Sequence, residues 1–137
     1  MIEQFGVLAW KESEDGHRHV LLITSRETKR WVIPRGNPIA GLSPAQAAAQ
    51  EAWEEAGIRG ETGAEPIGAF AYQKRRFNGA LVPAEVHVFE MRVTEEARSW
   101  PEAHERERRW FVPGEAAAAV DEPDLKVLLL REARDGA

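Results

Sequence analysis

A single helix in the first half of the chain limits the fold more than any other segment. Ser43 is a typical N-cap, Pro44 suits the first helical position, and Gly57 is typical of the residue that follows a helix end. Between them the sequence consists mostly of Ala, Gln and Glu, which are strong helix formers. Small side chains on one side would let this helix pack closely against a sheet: Ala45, Ala48, Ala49, Ala52 and Ala56.

Strand-like segments lie on both sides of this helix. Upstream, apolar residues predict a hairpin of Gln4–Lys11 and Arg18–Ser25, then a short strand at Trp31–Ile33 and a loop rich in Gly and Pro at Arg35–Leu42. Downstream, three more strand-like segments lie at about Pro66–Tyr72, Glu85–Thr94 and Trp110–Val112. The tail, from 113 to about 134, predicts two short helices. In a chain of 137 residues this order predicts one layered α/β domain over residues 1–137.

The composition excludes several classes of protein. There is no cysteine, so disulfides, thiolate zinc sites and cysteine nucleophiles are excluded. With 18 basic and 23 acidic side chains the net charge is −5, which argues against long DNA or RNA but allows a small polyanionic substrate. The N-terminus lacks the basic start and long apolar core of a signal peptide, and no apolar run approaches the roughly 20 residues of a membrane helix. We therefore expect a cytoplasmic protein that does not enter membranes.

Three glutamates near the end of the predicted helix carry the first chemical information. Glu51, Glu54 and Glu55 are spaced i, i+3 and i+4, so they share one helix face. They lie in the last two turns, where the helix dipole disfavours each carboxylate by about 0.3–1 kcal/mol, and they also repel one another. Bound divalent cations would reverse this cost, and Mg²⁺ prefers carboxylate and water oxygens. Taken alone, the cluster fits a metal site and a solvated acidic face equally well.

The sequence around these glutamates resembles a known family motif. Residues 36–58 read GNPIAGLSPAQAAAQEAWEEAGI, which is similar to the Nudix box, G-x5-E-x7-R-E-U-x-E-E-x-G-U with U an apolar residue. Pro34-Arg35-Gly36 also resembles the PKG that often opens the box. Two positions depart from the pattern, since Leu42 replaces its first Glu and Gln50 replaces its Arg. The matching positions are Gly36, Glu51, Ala52, Glu54, Glu55, Gly57 and Ile58.

This resemblance implies a fold, a reaction and a cofactor. Nudix proteins are α/β/α sandwiches, in which a mixed β-sheet is packed between helices, and they hydrolyse phosphoanhydride bonds. By the same resemblance Glu51, Glu54 and Glu55 would be catalytic and, together with Gly36, would hold Mg²⁺, for which Mn²⁺ can substitute. A less specific likeness to the diadenosine and diphosphoinositol polyphosphate phosphohydrolases lies further along the chain: Val93–Glu95, Trp100 and Arg108–Phe111.

Other charged residues are candidates for substrate binding or for an additional carboxylate. Arg35 adjoins the box, and a basic run follows a predicted strand: Lys74, Arg75 and Arg76. These side chains could clamp a polyphosphate, and a solvated hairpin tip explains the run equally well. A general base could come from the acidic segment before the last strand, although ordinary surface charge is the simpler interpretation of each residue: Glu102, Glu105 and Glu107, of which the last two lie nearest to Trp110.

Two alternatives to a diadenosine or diphosphoinositol polyphosphate hydrolase stay open. The same chemistry could act on a nucleoside triphosphate, a nucleotide sugar or an RNA 5′ end, because the fold does not specify the substrate. A catalytically weak nucleotide-binding module is the other, since Gln50 can hydrogen-bond but supplies no charge to orient carboxylates. The expected partner in each case is a small phosphorylated molecule, and the sequence leaves a monomer and a homodimer equally open.

Overall fold

The computed structural model of the protein describes residues 1–135, with side chains through residue 133, so the last two residues of the predicted domain lie outside the described residues. The strands are β1 (Ile2–Glu12), β2 (Arg18–Thr24), β3 (Trp31–Val32), β4 (Arg35–Gly36), β5 (Ile58–Thr62), β6 (Gly68–Arg75), β7 (Leu81–Glu96) and β8 (Arg108–Phe111). The helices are α1 (Pro44–Ala56), α2 (Pro113–Ala119) and α3 (Pro123–Asp135).

The strands form one mixed sheet, which confirms the predicted α/β class. The sheet path runs β3-β2-β1-β7-β5, while β4 pairs with β1, β6 with β7 and β8 with β2. β1 and β7 pair in parallel, with Ile2 opposite Ala84 and Trp10 opposite Arg92. β1 and β2 are antiparallel neighbours and form the predicted hairpin. The first strand of the chain therefore lies at the centre of the sheet.

Helices cover both faces of this sheet. Successive strand residues point to opposite faces, so Val7 packs with the buried alanines of α1 while its neighbour Leu8 packs with α2 and α3. In β2, Leu21 and Leu22 divide between the two cores in the same way. None of the helices within residues 1–135 is long and apolar enough to cross a membrane.

Helix α1 begins and ends where its sequence predicts. The Ser43 hydroxyl accepts a hydrogen bond from the Gln46 N–H, and the Gln46 side-chain oxygen accepts one from the Ser43 N–H, which is a capping box. Gly57 follows the helix with φ of 66°, in the left-handed region that favours glycine. Three alanines on the sheet side have no exposed surface: Ala48, Ala52 and Ala56. The last turn of α1 is thereby held close to the sheet.

The prediction was wrong about two short strands and one boundary. β4 lies inside the predicted loop, because Phe5 and Gly6 of β1 pair with Gly36 and Arg35. β5 follows α1 directly and was not predicted, since its five residues contain too few apolar side chains to show alternation. β6 continues through Arg75 rather than ending near residue 72. Pairing with β1 and β7 supplies hydrogen bonds that these local sequences do not reveal.

Candidate active site

The C-terminal end of α1 is closed by the segment between β7 and β8, residues 97–107. A helix end leaves carbonyl groups without helical partners, and this segment supplies donors to them. The Glu102 N–H donates to the Glu54 carbonyl at 3.0 Å. The Trp100 indole N–H donates to the Glu55 carbonyl at 3.1 Å. These bonds hold the 97–107 segment against the helix turn that carries the glutamates.

Arg108 supplies a positive charge at the end of this helix. α1 itself contains no Lys or Arg. The Arg108 guanidinium donates to the Ala56 carbonyl at 2.8 Å and to the Ala97 carbonyl at 2.6 Å, and it lies 4.0 Å from the centre of the Trp100 ring. A cation at a helix C-terminus offsets the negative end of the helix dipole. The unfavourable position of the three glutamates is thus offset by a residue distant in the chain.

Glu55 is the most deeply placed of the three glutamates, with 8% of its surface exposed. One carboxylate oxygen accepts a hydrogen bond from the Arg35 N–H at 3.3 Å, and the other lies 3.7 Å from the Arg106 guanidinium. Burial raises the pKa of the Glu55 carboxyl to about 8; the charge of Arg106 opposes this rise and the charge of Glu51 adds to it. Without a metal ion, Glu55 therefore keeps its proton to a higher pH than an exposed glutamate does.

Glu51 lies directly against the backbone of Gly36. A Cβ built on Gly36 would lie only 2.6 Å from a carboxylate oxygen of Glu51, closer than any real side chain allows. Glycine at this position therefore makes room for Glu51 beside β4. Burial raises the pKa of the Glu51 carboxyl, and the negative charge of Glu54 raises it further. The structure thus brings together Gly36 and the glutamates that the sequence singled out.

A fourth carboxylate, that of Glu102, joins this group from the 97–107 segment. Its negative charge contributes to the raised pKa of both Glu51 and Glu55. One of its oxygens accepts a hydrogen bond from the Arg106 guanidinium at 2.8 Å. Glu102 was one of the three candidates for an additional carboxylate, whereas Arg106 is the member of this cluster that the sequence did not single out. The signal that could have found Arg106 is the absence of any basic residue on α1 itself.

A cleft of about 510 Å³ opens beside Glu55 and Arg106. Five more basic residues line it: Arg26, Arg30, Arg35, Lys74 and Arg75. Arg30 is engaged in an ion pair with Asp121 at 2.6 Å. Within the part of the chain that the structure describes, Arg35, Lys74 and Arg75 have no acidic side chain at ion-pair distance. The cleft therefore combines a buried carboxylate with positive charge that no acidic side chain of the described chain neutralises.

Tyr72 orders one side of this cleft. The Arg35 guanidinium stacks on its ring at 4.2 Å from the centre. The Tyr72 hydroxyl donates to the Gln4 side-chain oxygen at 2.6 Å, and the Gln4 amide donates to Asn37 at 3.1 Å. A guanidinium stacked on an aromatic ring keeps its N–H groups free in the ring plane. Arg35 is thereby held in place without using the donors that a phosphate would need.

Three of the predicted site residues belong neither to the cleft lining nor to the carboxylate cluster. Glu105 pairs with Arg26 at 3.7 Å, and Glu107 pairs with Arg109 at 3.5 Å. Arg76 lies in the exposed turn between β6 and β7 and is absent from the cleft lining. Lys74 and Arg75 therefore line the same cleft as Glu55, whereas Arg76 does not. Glu102, rather than Glu105 or Glu107, is the carboxylate that acts on Glu51 and Glu55.

The two departures from the Nudix pattern share a different surface. Leu42 and Gln50 line a shallow groove of about 380 Å³ on the outer side of α1, together with Trp53 and Arg59. The Arg59 guanidinium stacks on the Trp53 ring at 3.6 Å. This groove and the cleft share no lining residue. The contacts described for Glu51 and Glu55 involve neither Leu42 nor Gln50.

Leu42→Glu, which restores the pattern, is expected to be tolerated. Leu42 is 41% exposed, so the substitution removes little buried apolar surface. A negative charge just before the N-terminus of α1 is also favourable for the helix dipole. We expect the free energy of unfolding, measured by urea denaturation, to change by no more than about 0.5 kcal/mol. A variant that fails to fold would show that Leu42 is a core residue.

The donor set of the carboxylate cluster fits a divalent metal ion. Among the side chains that the structure describes, no group of three or more acidic or histidine residues is placed so that it could hold a metal ion. Mg²⁺ keeps several of its waters and needs only one or two protein carboxylates, so a closed cage is not required. Glu51 and Glu55 both have a raised pKa, which means that their joint ionisation is unfavourable until a cation joins them. The space at Gly36 lies next to the same carboxylates.

The raised pKa of Glu55 predicts how the stability of the metal-free protein depends on pH. The folded state binds this proton more tightly than the unfolded chain, so the group costs no stability below its ordinary pKa of 4.5. The cost grows as the pH rises to the folded pKa of about 8. We expect the melting temperature in chelator to fall over this range, and Glu55→Gln to remove most of the fall. Equal slopes in the variant and the wild type would contradict the prediction.

Comparison with known proteins identifies the family. The family model of the NUDIX domain matches residues 3–132, so the chain belongs to the Nudix family. Nudix hydrolase 12, mitochondrial, of Arabidopsis thaliana is 33% identical over 100 residues, which cover 71% of this chain and 49% of that protein. Diphosphoinositol polyphosphate phosphohydrolase 2 of Rattus norvegicus is 32% identical over 101 residues, which cover 72% and 52%. The chain spans about half the length of these relatives.

Solved structures show the same fold. The Ap4A hydrolase of C. elegans superposes with a TM-score of 0.68 and 18% identity, over 96% of this chain and 95% of that chain. At this identity the likeness concerns the fold alone. It confirms the α/β/α sandwich that the resemblance implied.

Proposed function

We propose that the protein hydrolyses a phosphoanhydride bond in a small polyphosphorylated substrate, with Mg²⁺ as its cofactor. The observation that carries the proposal is one cleft that Glu55 shares with Arg35, Lys74 and Arg75, for which the described residues offer no acidic partner. Carboxylates suit a metal ion, and guanidinium and ammonium groups suit phosphate oxygens. The reaction needs both together, because water must reach a phosphorus atom surrounded by anionic oxygens.

The proposed roles divide between α1 and the 97–107 segment. Mg²⁺, when bound, would neutralise phosphate charge and promote ionisation of the attacking water. Glu51, Glu54 and Glu55 would hold it, together with the backbone of Gly36. Glu102 would accept the proton from the attacking water, because it is the carboxylate beside this cluster that does not belong to α1.

The cleft favours a substrate with many phosphates over one recognised by its base. Arg35, Lys74 and Arg75 offer positive charge, whereas Tyr72 is the one aromatic residue of the lining and already carries Arg35 on its ring. We therefore rank a diphosphoinositol polyphosphate above a diadenosine polyphosphate. Both rank above a nucleoside triphosphate, a nucleotide sugar or an RNA 5′ end. The rat relative is named a diphosphoinositol polyphosphate phosphohydrolase, in agreement with the first choice.

Phosphate release from a substrate panel, with Mg²⁺ and with or without chelator, tests the proposal. The panel contains a diphosphoinositol polyphosphate, diadenosine polyphosphates, nucleoside triphosphates, nucleotide sugars and triphosphorylated RNA. Chelator-sensitive cleavage of one class would support the activity and identify the substrate. Binding without metal-dependent cleavage of any substrate would instead favour a nucleotide-binding module.

Removing the basic side chains of the cleft is expected to weaken substrate binding. The double variant Lys74→Gln with Arg75→Gln should raise KM by about tenfold to a hundredfold, since charge-assisted hydrogen bonds contribute about 1.5–3 kcal/mol. Arg76→Gln is the matched control, because it removes a charge from the same hairpin outside the cleft. Steady-state kinetics of the three proteins make the comparison. An equal effect of Arg76→Gln would show that only the overall charge of the hairpin matters.

A further inference from the structure

Arg106 joins three separate parts of the chain at the carboxylate cluster. Its Nε donates to a Glu102 carboxylate oxygen at 2.8 Å, and one terminal nitrogen donates to the Thr24 carbonyl at 3.2 Å. The other terminal nitrogen lies 3.7 Å from the Glu55 carboxylate. The guanidinium thus contacts the end of β2, the 97–107 segment and α1. Because this group is planar and rigid, these contacts restrict the carboxylates on either side of it.

This arginine is nearly enclosed. Its side chain is 9% exposed, and the side chain of Glu55 beside it is 10% exposed. α1 contributes no basic residue, and Arg108 is directed to the backbone carbonyls at the helix end. Among the described residues, Arg106 is the basic side chain within ion-pair distance of Glu55. The free-energy cost of burying such a charge is offset only when its partners are held in good hydrogen-bond geometry.

We propose that Arg106 is a positioning residue that fixes Glu55 and Glu102 relative to one another and thereby maintains the affinity of the cluster for its divalent ion. The inference rests on the proposed function, because it assigns Arg106 to the same site. Arg106 acts through the two carboxylates and is not assigned a contact with the metal. Residues that orient metal ligands typically change metal affinity by about 10–100-fold when they are replaced.

A positioning role and a mere counter-charge predict different results for Arg106→Lys. If Arg106 acts only through its charge, Arg106→Lys must bind Mn²⁺ like the wild type, because the positive charge is kept. If Arg106 holds the carboxylates, Arg106→Lys must bind Mn²⁺ more weakly, because Glu55 loses its fixed position relative to Glu102. Arg106→Lys tests this difference because lysine keeps the positive charge. Its compact ammonium group cannot hold two carboxylates in the fixed planar geometry of a guanidinium group.

Binding of Mn²⁺ alone, followed by electron paramagnetic resonance without substrate, provides the test. We expect Arg106→Met and Arg106→Lys each to raise the Kd for Mn²⁺ by about tenfold or more. Adding Glu102→Gln to Arg106→Lys should weaken Mn²⁺ binding little further, since both substitutions remove the same contact between Arg106 and Glu102. Arg109→Lys is the matched control, because Arg109 lies on the neighbouring β8 and pairs with the exposed Glu107. The control should bind Mn²⁺ like the wild type.

Unchanged or tighter Mn²⁺ binding in Arg106→Lys would overturn the proposal. Thermal unfolding of each variant is recorded alongside, and if Arg106→Met does not fold, the more conservative Arg106→Lys and the double variant decide the outcome. A wild-type protein that binds Mn²⁺ but cleaves no substrate would refute the proposed hydrolysis and leave the Arg106 comparison valid. A wild-type protein that binds no Mn²⁺ would overturn both.

Discussion

Glu55→Gln is expected to lower phosphoanhydride turnover by about 10²–10⁴-fold while the protein stays folded. The amide has the shape of the carboxyl group but cannot supply the negative charge that holds a metal ion. Metal-held charge contributes several kcal/mol to such transition states, and each 1.4 kcal/mol corresponds to about a factor of ten in rate. Because Glu55 is buried and its pKa is raised to about 8, a neutral amide should not destabilise the fold at neutral pH. The measurement is kcat under saturating Mg²⁺.

Glu107→Gln is the matched control for this loss. It makes the same chemical change at an exposed glutamate that pairs with Arg109 rather than with the cluster. Wild-type kcat in Glu107→Gln together with a large loss in Glu55→Gln would assign the effect to the cluster. A folded Glu55→Gln protein with wild-type activity would refute the metal site, and a folded Glu54→Gln protein with full activity would remove Glu54 from it.

Gly36→Ala is expected to produce the second largest effect, a loss of kcat of about 10–100-fold. The added methyl group would lie 2.6 Å from a Glu51 oxygen, so the Glu51 side chain must leave its place beside β4. The moving part is a flexible side chain, and for this reason the fold should survive. Gly36→Ala should lower kcat less than Glu55→Gln does. It only moves the Glu51 carboxylate, so the negative charge stays close to the metal site. Activity and melting temperature are measured on the same preparation.

Gly114→Ala controls for the general effect of adding a methyl group to a glycine. No atom lies within 4 Å of a Cβ built at this position, and its backbone is not in the left-handed region. We expect wild-type activity there. A Gly36→Ala protein that is as active as Gly114→Ala would show that Glu51 does not need its present position.

Helix α1 could be predicted from sequence because its signals are local. Ser43, Pro44 and Gly57 define its ends within a few residues, and the box places the glutamates by spacing alone. β5 could not be predicted in this way, since it is short, contains Gly60 and pairs with β7 through an irregular register between Arg59 and Gly60. Its existence depends on a partner strand about thirty to forty residues further along the chain, which no local pattern reveals.

The site residues also differ in whether a local sequence pattern or a distant part of the chain determines their position. Glu51, Glu54 and Glu55 were found because they lie on one helix face. Arg106 and Glu102 belong to a segment dense in charges of both signs, where composition does not indicate which side chains turn inward. Their burial depends on how the 97–107 segment closes the end of α1. Lys74, Arg75 and Arg76 form one basic run in the sequence. The hairpin turn places Arg76 outside the cleft that its two neighbours line.

The parallel pairing of β1 with β7 has a consequence for how the chain acquires its structure. Ile2 lies opposite Ala84 and Trp10 opposite Arg92, so β1 finds this partner only after about eighty further residues have been synthesised. Contacts between such distant residues slow folding, because a large loop must close before they form. Until then β1 presents an unpaired apolar edge. We therefore expect this protein to be most prone to aggregation while it is being made on the ribosome, and much less so once β7 has been added.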